Sequence, residues 1–180
     1  MTHKTVEIIL LNQDNFEYYL NELSDTLYEC VHDGASISFV LPFTKTDSKT
    51  YWLNKVLPNL IVRNTIVFIA LIDNKLAGTV QLECDTPPNQ PYRAEVSKLL
   101  VTPNFQRKGI AKKLMLHLEE HAIKIDKFLL TLDTRTSDKA EPLYTALGYQ
   151  TAGVIPNFAK DPREHRFDAT TIMYKKLKEF

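Results

Sequence analysis

Apolar and polar positions follow two rhythms along this chain. VEIILL (Val6 to Leu11) is an apolar run of strand length and predicts a buried strand. After it, Phe16, Tyr19, Leu20, Leu23, Leu27 and Val31 recur at spacings of three and four, which predicts an amphipathic helix stopped near Gly34. KTDSKTYWLNKVLPNLIVRN predicts a second helix, capped by Asp47 or Ser48, with Trp52, Leu53, Val56 and Leu57 turned inward. TIVFIALID and KLAGTVQLECD predict two strands, and Asp73-Asn74-Lys75 between them predicts an antiparallel hairpin.

The Pro-rich TPPNQPYR predicts a stiff loop, and AEVSKLLVTP a strand that Pro103 stops. A helix from Gly109 to about Asp126 comes next, then the strand KFLLTLDT and a short helix in SDKAEPLYTALGY ending at Gly148. QTAGVI and ATTIMYKKL predict the last two strands, with PNFAKDPREHRFD as a long polar loop between them. The order β-α-α-β-β-β-α-β-α-β-β predicts an α/β chain, a mixed sheet flanked by helices, and one domain over residues 1–180.

Charge and composition narrow the function. Lys plus Arg number 22 and Asp plus Glu number 22, and this balance argues against a dedicated nucleic-acid binder. The 2 cysteines, Cys30 and Cys84, lie in apolar surroundings and read as buried thiols of a reducing compartment. Neither a signal peptide nor a membrane span is visible, so the cytoplasm is expected, with no membrane partner.

The stretch LLVTPNFQRKGIAKKLM carries the clearest chemistry. A strand, a short loop and a helix place a helix N-terminus at the end of a sheet strand, where unpaired N–H groups and the helix dipole favour an anion. Gly109 lets the backbone approach such an anion, Ala111 is the next smallest choice, and Arg107, Lys108 and Lys112 add positive charge. On its own the loop is also consistent with a glycine that only punctuates the chain and cations that only face solvent.

Two motifs resolve this. Gln106-Arg107-Lys108-Gly109-Ile110-Ala111 after a strand, with Leu143-Tyr144-Thr145-Ala146-Leu147-Gly148-Tyr149 on the following element, resembles the GCN5-related N-acetyltransferases (GNAT). DGASISF, GTVQLECDTPPNQPYRAEVSKLLV, LDT and IPNFAKDP with ATTIMYKKL are similar to the tabtoxin-resistance-like branch of that family. The resemblance implies a GNAT fold, with about seven strands and four helices. It also implies direct transfer of an acetyl group from acetyl-CoA to an amine. The pyrophosphate would then sit on the amides of 107–112, and the pantetheine arm on the backbone of Leu99, Leu100 and Val101, where two parallel strands splay. An N–H near Val101 would hold the oxyanion, and Ser137 stands where the family often has Asn.

Tyr144 is the expected general acid, because a phenol keeps its proton at neutral pH. Without the motif it would read as a core aromatic. Glu95 and Asp133 are the candidate bases and attract a cationic acceptor. A salt bridge of Glu95 with Lys98 or Arg93, and a helix-capping Asp133, are the structural alternatives. Asp168 and His165 are weaker candidates. HLEEH (His117 to His121) spells a zinc motif but reads as a pair at the core edge, so no metal is expected. The expected acceptor is a small-molecule amine. A peptide or protein amine and a silent CoA-binding module are the alternatives, and exposed edge strands near the C-terminus would allow a homodimer.

Overall fold

A computed structural model describes residues 5–178. Strand β1 (Val6–Leu11) leads into α1 (Gln13–His32), followed by α2 (Lys45–Tyr51) and α3 (Leu57–Ile61), which are joined by a π-helical turn over Trp52–Val56. β2 (Thr65–Ile72), β3 (Lys75–Glu83) and β4 (Arg93–Val101) form a meander. Then come α4 (Ile110–Lys124), β5 (Leu129–Arg135), α5 (Glu141–Ala146), β6 (Gln150–Lys160) and β7 (Phe167–Lys176). With α2, the π turn and α3 taken as the one expected second helix, the element order is the one expected, but β1 is not the buried strand expected: it lies at the sheet edge with only Leu11 buried.

Local chemistry sets the element ends. Asn12 caps α1 by accepting the N–H groups of Asp14 and Asn15 at 2.9 and 3.0 Å. The second helix starts earlier than Asp47 or Ser48. Thr44 is its cap, because the Thr44 hydroxyl accepts the Asp47 N–H at 3.1 Å while the Asp47 carboxylate accepts the Thr44 N–H at 2.8 Å. That reciprocal box needs the carboxylate three residues after the hydroxyl. Pro58 has no N–H for the helical ladder, and the preceding turn widens to the π form before it. Asp73 and Asn74 both have positive φ, 51° and 61°, which matches the twist of a two-residue hairpin turn.

The sheet order is β1-β2-β3-β4-β5-β7-β6. Every pairing is antiparallel except β4 with β5. That parallel pairing covers only Arg93↔Leu129, Ala94↔Leu130 and Glu95↔Thr131 before the strands part. Just beyond, β4 bulges against β3 with Lys98 at φ 49°.

Each sheet face buries its own core. Phe68, Ala70, Val80, Leu82, Val96, Leu130 and Leu132 pack with Ile110, Leu114 and Leu118 of α4. Val67, Ile69 and Leu71 pack on the other face with Phe16, Leu20, Leu23 and Leu27 of α1 and with Trp52 and Val56. Trp52 is 0% exposed, and its indole N–H donates to the Leu23 carbonyl at 3.1 Å, so this helix locks onto α1. Leu53 and Leu57 are half-buried and pack against the same cluster.

The segment expected as a long polar loop is mostly strand. β6 continues through Pro156 to Lys160 and β7 begins at Phe167, so the connection shortens to 161–166. β6 lies at the sheet edge, where proline withdraws no needed N–H, and irregular pairing between Ile155 and Ala159 absorbs the change.

Candidate active site

The parting of β4 from β5 opens a cleft of about 730 Å³. Its walls are the bulged half of β4, the loop before α4, the start of α4, the end of β5, the α5 region and the loop after α1.

The anion end is built from backbone. Arg107 and Gly109 have positive φ, 63° and 76°, and Gly109 caps α4 with no side-chain hydrogen bond. The first turn of this helix therefore keeps its N–H groups free. A Cβ at Gly109 would meet nothing within 4 Å. The left-handed backbone is what demands glycine here, and the space beside it is open. Gln106, Arg107, Ile110, Ala111 and Lys112 line the same wall. Lys108 turns away, its ammonium donating to the Asn104 carbonyl at 3.0 Å.

The alternation of β4 sorts its backbone groups. Thr102 N–H donates to Ala77 O on β3 at 3.0 Å, so Leu100 also directs its groups toward β3, while Leu99 and Val101 face the gap. Of the expected partners of a pantetheine arm, Leu100 is thus the exception. The Val101 carbonyl already accepts the Cys30 thiol at 3.5 Å and Gln106 Nε2 at 3.4 Å. Ser137 lies outside the lining, exposed, with its N–H donating to Glu141 at 2.7 Å.

Tyr144 lines the cleft from α5 and is 6% exposed. Burial, then the charges of Asp133 and Asp138, push its phenol far above the usual tyrosine range, which fixes the proton in place. Asp133 lines the cleft opposite and accepts the Thr170 hydroxyl at 3.0 Å. It sits within β5 and caps no helix.

Glu95 stands outside the lining, on the same polar sheet face as Asp133. Burial, then Asp133 and Glu83, raise its pKa, against which Arg93 and Lys98 act only through space. Glu95 lies directly opposite Glu83 across β3 and β4, a like-charge pairing that costs stability. No salt bridge of Glu95 to Arg93 or Lys98 forms among the described residues.

Several site residues carry no sequence signal. Arg135 pairs with Asp161 at 3.4 Å and with Asp168 at 2.9 Å, which engages Asp168 in structure. Arg135 also donates to the Gly34 carbonyl at 3.4 Å, and Leu41 N–H donates to Pro162 O at 2.9 Å. These bonds tie the 161–166 loop to the loop after α1. Charged residues in an apparent surface loop give no hint of such a role, since the partners lie far apart in sequence. Among the described residues no three His, Cys, Asp or Glu gather to hold a metal, and His121 packs edge-on against Phe68 at 5.3 Å.

An uncapped helix start, a splayed strand pair and a buried tyrosine line one cleft, and the acetyltransferase (GNAT) family profile matches residues 10–149. The chain belongs to the GNAT acetyltransferase family. As a GNAT enzyme it is an acetyl-CoA-dependent N-acetyltransferase. An uncharacterized N-acetyltransferase from the hisH-hisA intergenic region of Azospirillum brasilense is 27% identical over 125 residues, 68% of this chain and 72% of that protein. The GNAT fold is shared with an N-acetyltransferase from Staphylococcus aureus at TM-score 0.78 and 17% identity, covering 97% of this chain and 99% of that one. It is shared too with yncA from Salmonella typhimurium, solved with its cofactor acetyl-CoA, at TM-score 0.77 and 16% identity, covering 97% and 95%. No helix among the described residues is long and apolar enough to cross a membrane.

Proposed function

We propose that this enzyme acetylates the amine of a small molecule by direct attack on the acetyl-CoA thioester in a ternary complex, as one domain in the cytoplasm. The carrying observation is the closure of the cleft's acceptor side. The buried Arg135–Asp161 pair and the Leu41–Pro162 backbone bond draw two loops together there, which suits a compact acceptor better than an extended peptide.

The diphosphate would bind at the start of α4, and the pantetheine amides at Leu99 and Val101. Glu95 or Asp133 would take the proton of the acceptor ammonium. The free amine attacks the carbonyl, the carbon–sulfur bond breaks, and Tyr144 protonates the departing thiolate. A β4 N–H facing the gap would hold the oxyanion, a donor worth about 3 kcal/mol. The test is a thiol-release screen of amino acids, antibiotics, polyamines and peptides. Turnover confined to small amines supports the reading, and turnover confined to peptides overturns it. Release at background with every acceptor returns the chain to a CoA-binding role.

A further inference from the structure

One buried carboxylate takes no part in the chemistry above. Glu119 lies on α4 and is 6% exposed. Lys175 of β7 donates to its Oε2 at 2.6 Å. The Lys175 ammonium also lies 5.7 Å from the centre of the Tyr149 ring, and its Cε stands 3.8 Å from where a Cβ on Gly148 would be. The lysine therefore crosses the turn that closes α5.

That turn carries Tyr144. α5 has only 6 residues and no side-chain cap at its start, which is too short a helix to hold its own shape. Its end is fixed instead. The Tyr149 N–H donates to the Tyr144 carbonyl at 3.0 Å and the Gly148 N–H to the Thr145 carbonyl at 3.0 Å, with Gly148 at φ 90°. Tyr149 is buried, and its ring packs edge-on against that of Tyr144. Whatever grips Tyr149 thus grips Tyr144.

Stability alone would not choose an ion pair for this grip. A buried pair repays its desolvation poorly, and apolar residues of similar size often serve the fold as well. The Tyr149 phenol faces the same carboxylate, and burial, then the Glu119 charge, raise its pKa. Even so, Tyr149 Oη and Glu119 Oε1 fall short of a hydrogen bond to any described residue. Two buried polar atoms left so are a further cost.

We propose that the Glu119–Lys175 pair positions Tyr144 through Tyr149, holding the end of α5 against α4 so that the Tyr144 hydroxyl meets the departing thiolate. One helix then places both the diphosphate, at its start, and the proton donor. The proposal rests on Tyr144 as that donor.

The test measures thiol release by the full chain with saturating acetyl-CoA and the amine that turns over fastest in the screen described above. Lys175→Met alone would leave the Glu119 charge buried and unpaired, so both partners are replaced, Glu119→Leu with Lys175→Met, and the urea midpoint should stay near wild type. kcat should fall about 10- to 100-fold, since ångström-scale misplacement of a reacting group costs that much. The KM for acetyl-CoA should change little. Glu119→Gln keeps the shape without the charge and should give a smaller fall of the same kind, and Lys175→Arg should retain most of kcat. In a Tyr144→Phe background the double replacement should lower kcat no further, because no hydroxyl is left to aim. A wild-type kcat in the double variant and in Glu119→Gln, or a fall as large without the Tyr144 hydroxyl as with it, overturns the positioning role and leaves Tyr144 as donor. A kcat untouched by Tyr144→Phe overturns the donor, and the positioning role with it.

Discussion

Gly78 and Leu100 meet main chain to main chain: a Cβ on Gly78 would stand 2.5 Å from the Leu100 carbonyl oxygen. No rotamer change can relieve that overlap, because the obstacle is backbone. The contact presses β4 onto β3 at the stretch where β4 has left β5 and faces the cleft. Gly78→Ala must therefore push β4 outward. The expected loss in urea unfolding is about 1–3 kcal/mol, the usual cost of overpacking. The KM for acetyl-CoA should rise with it, since Leu99 and Val101 move with the strand. Wild-type stability together with a wild-type KM would contradict the packing.

The proposed proton donor, Tyr144, is held in its neutral form. Among the described residues no hydrogen bond to its hydroxyl favours the phenolate, and burial, then Asp133 and Asp138, raise its pKa. Its ring packs edge-on against Tyr149 at 5.8 Å, a contact that phenylalanine keeps. Tyr144→Phe is thus expected to fold normally and to lower kcat about 10²- to 10⁴-fold, with little change in KM for acetyl-CoA. Stopped-flow thiol release measures it, and an unchanged kcat removes Tyr144 from the proton transfer.

What was legible in the sequence follows from how local each signal is. The helix of Phe16 to Val31, the hairpin at Asp73–Asn74 and the Gly109 turn are each specified by a few adjacent residues, and all stand where periodicity and turn chemistry put them. β6 beyond Ile155 was not legible, because PNFAK reads as loop and only its pairing with β7 makes it strand. The cap at Thr44 was missed for a different reason. Asp47 is a good cap by itself, and only the reciprocal bond shows it to be the third residue of the box. At the site, the backbone cradle and Tyr144 are motif-borne, whereas Lys98 and the Arg135–Asp161 pair depend on strands and loops that meet only in three dimensions.

Asp161 ties the 161–166 loop to the end of β5 through Arg135. It is 2% exposed, and its Oδ1 accepts the N–H groups of Arg163 and Glu164 at 2.8 and 2.9 Å. Burial pushes its pKa up, but those N–H groups with Arg135 and Arg166 outweigh it and bring the pKa below the ordinary carboxylate value. A depressed folded pKa gives stability that is present above the unfolded value and lost as pH falls through the folded one. Asp161→Asn should cost about 2 kcal/mol at neutral pH, the worth of hydrogen bonds to a charged group, and the difference from wild type should narrow in acid below about pH 4. Urea midpoints across pH measure this. The variant should also raise the acceptor KM, and a midpoint difference that stays constant into acid would remove the ionised Asp161 from the account.

Glu95 sets opposite demands on activity and stability. Burial and its carboxylate neighbours raise its pKa, so as a general base it should lose function when pH falls through a point above the ordinary carboxylate range, about 4.3. Glu95→Gln is expected to lose activity at neutral pH and recover some in alkali, as the acceptor amine sheds its own proton toward a pKa of about 10. Asp133→Asn should do the same if the two carboxylates share the task. The stability sign is reversed. A folded pKa above the unfolded one means that the ionised carboxylate weakens the fold at neutral pH, and that this penalty disappears below the unfolded value. Glu95→Gln should therefore unfold at higher urea than wild type at pH 7, with the gain vanishing below about pH 4. Less activity with more stability is the signature of a charge kept for chemistry. A variant with wild-type pH dependence in both measurements would leave Glu95 as a surface carboxylate and pass the base to Asp133.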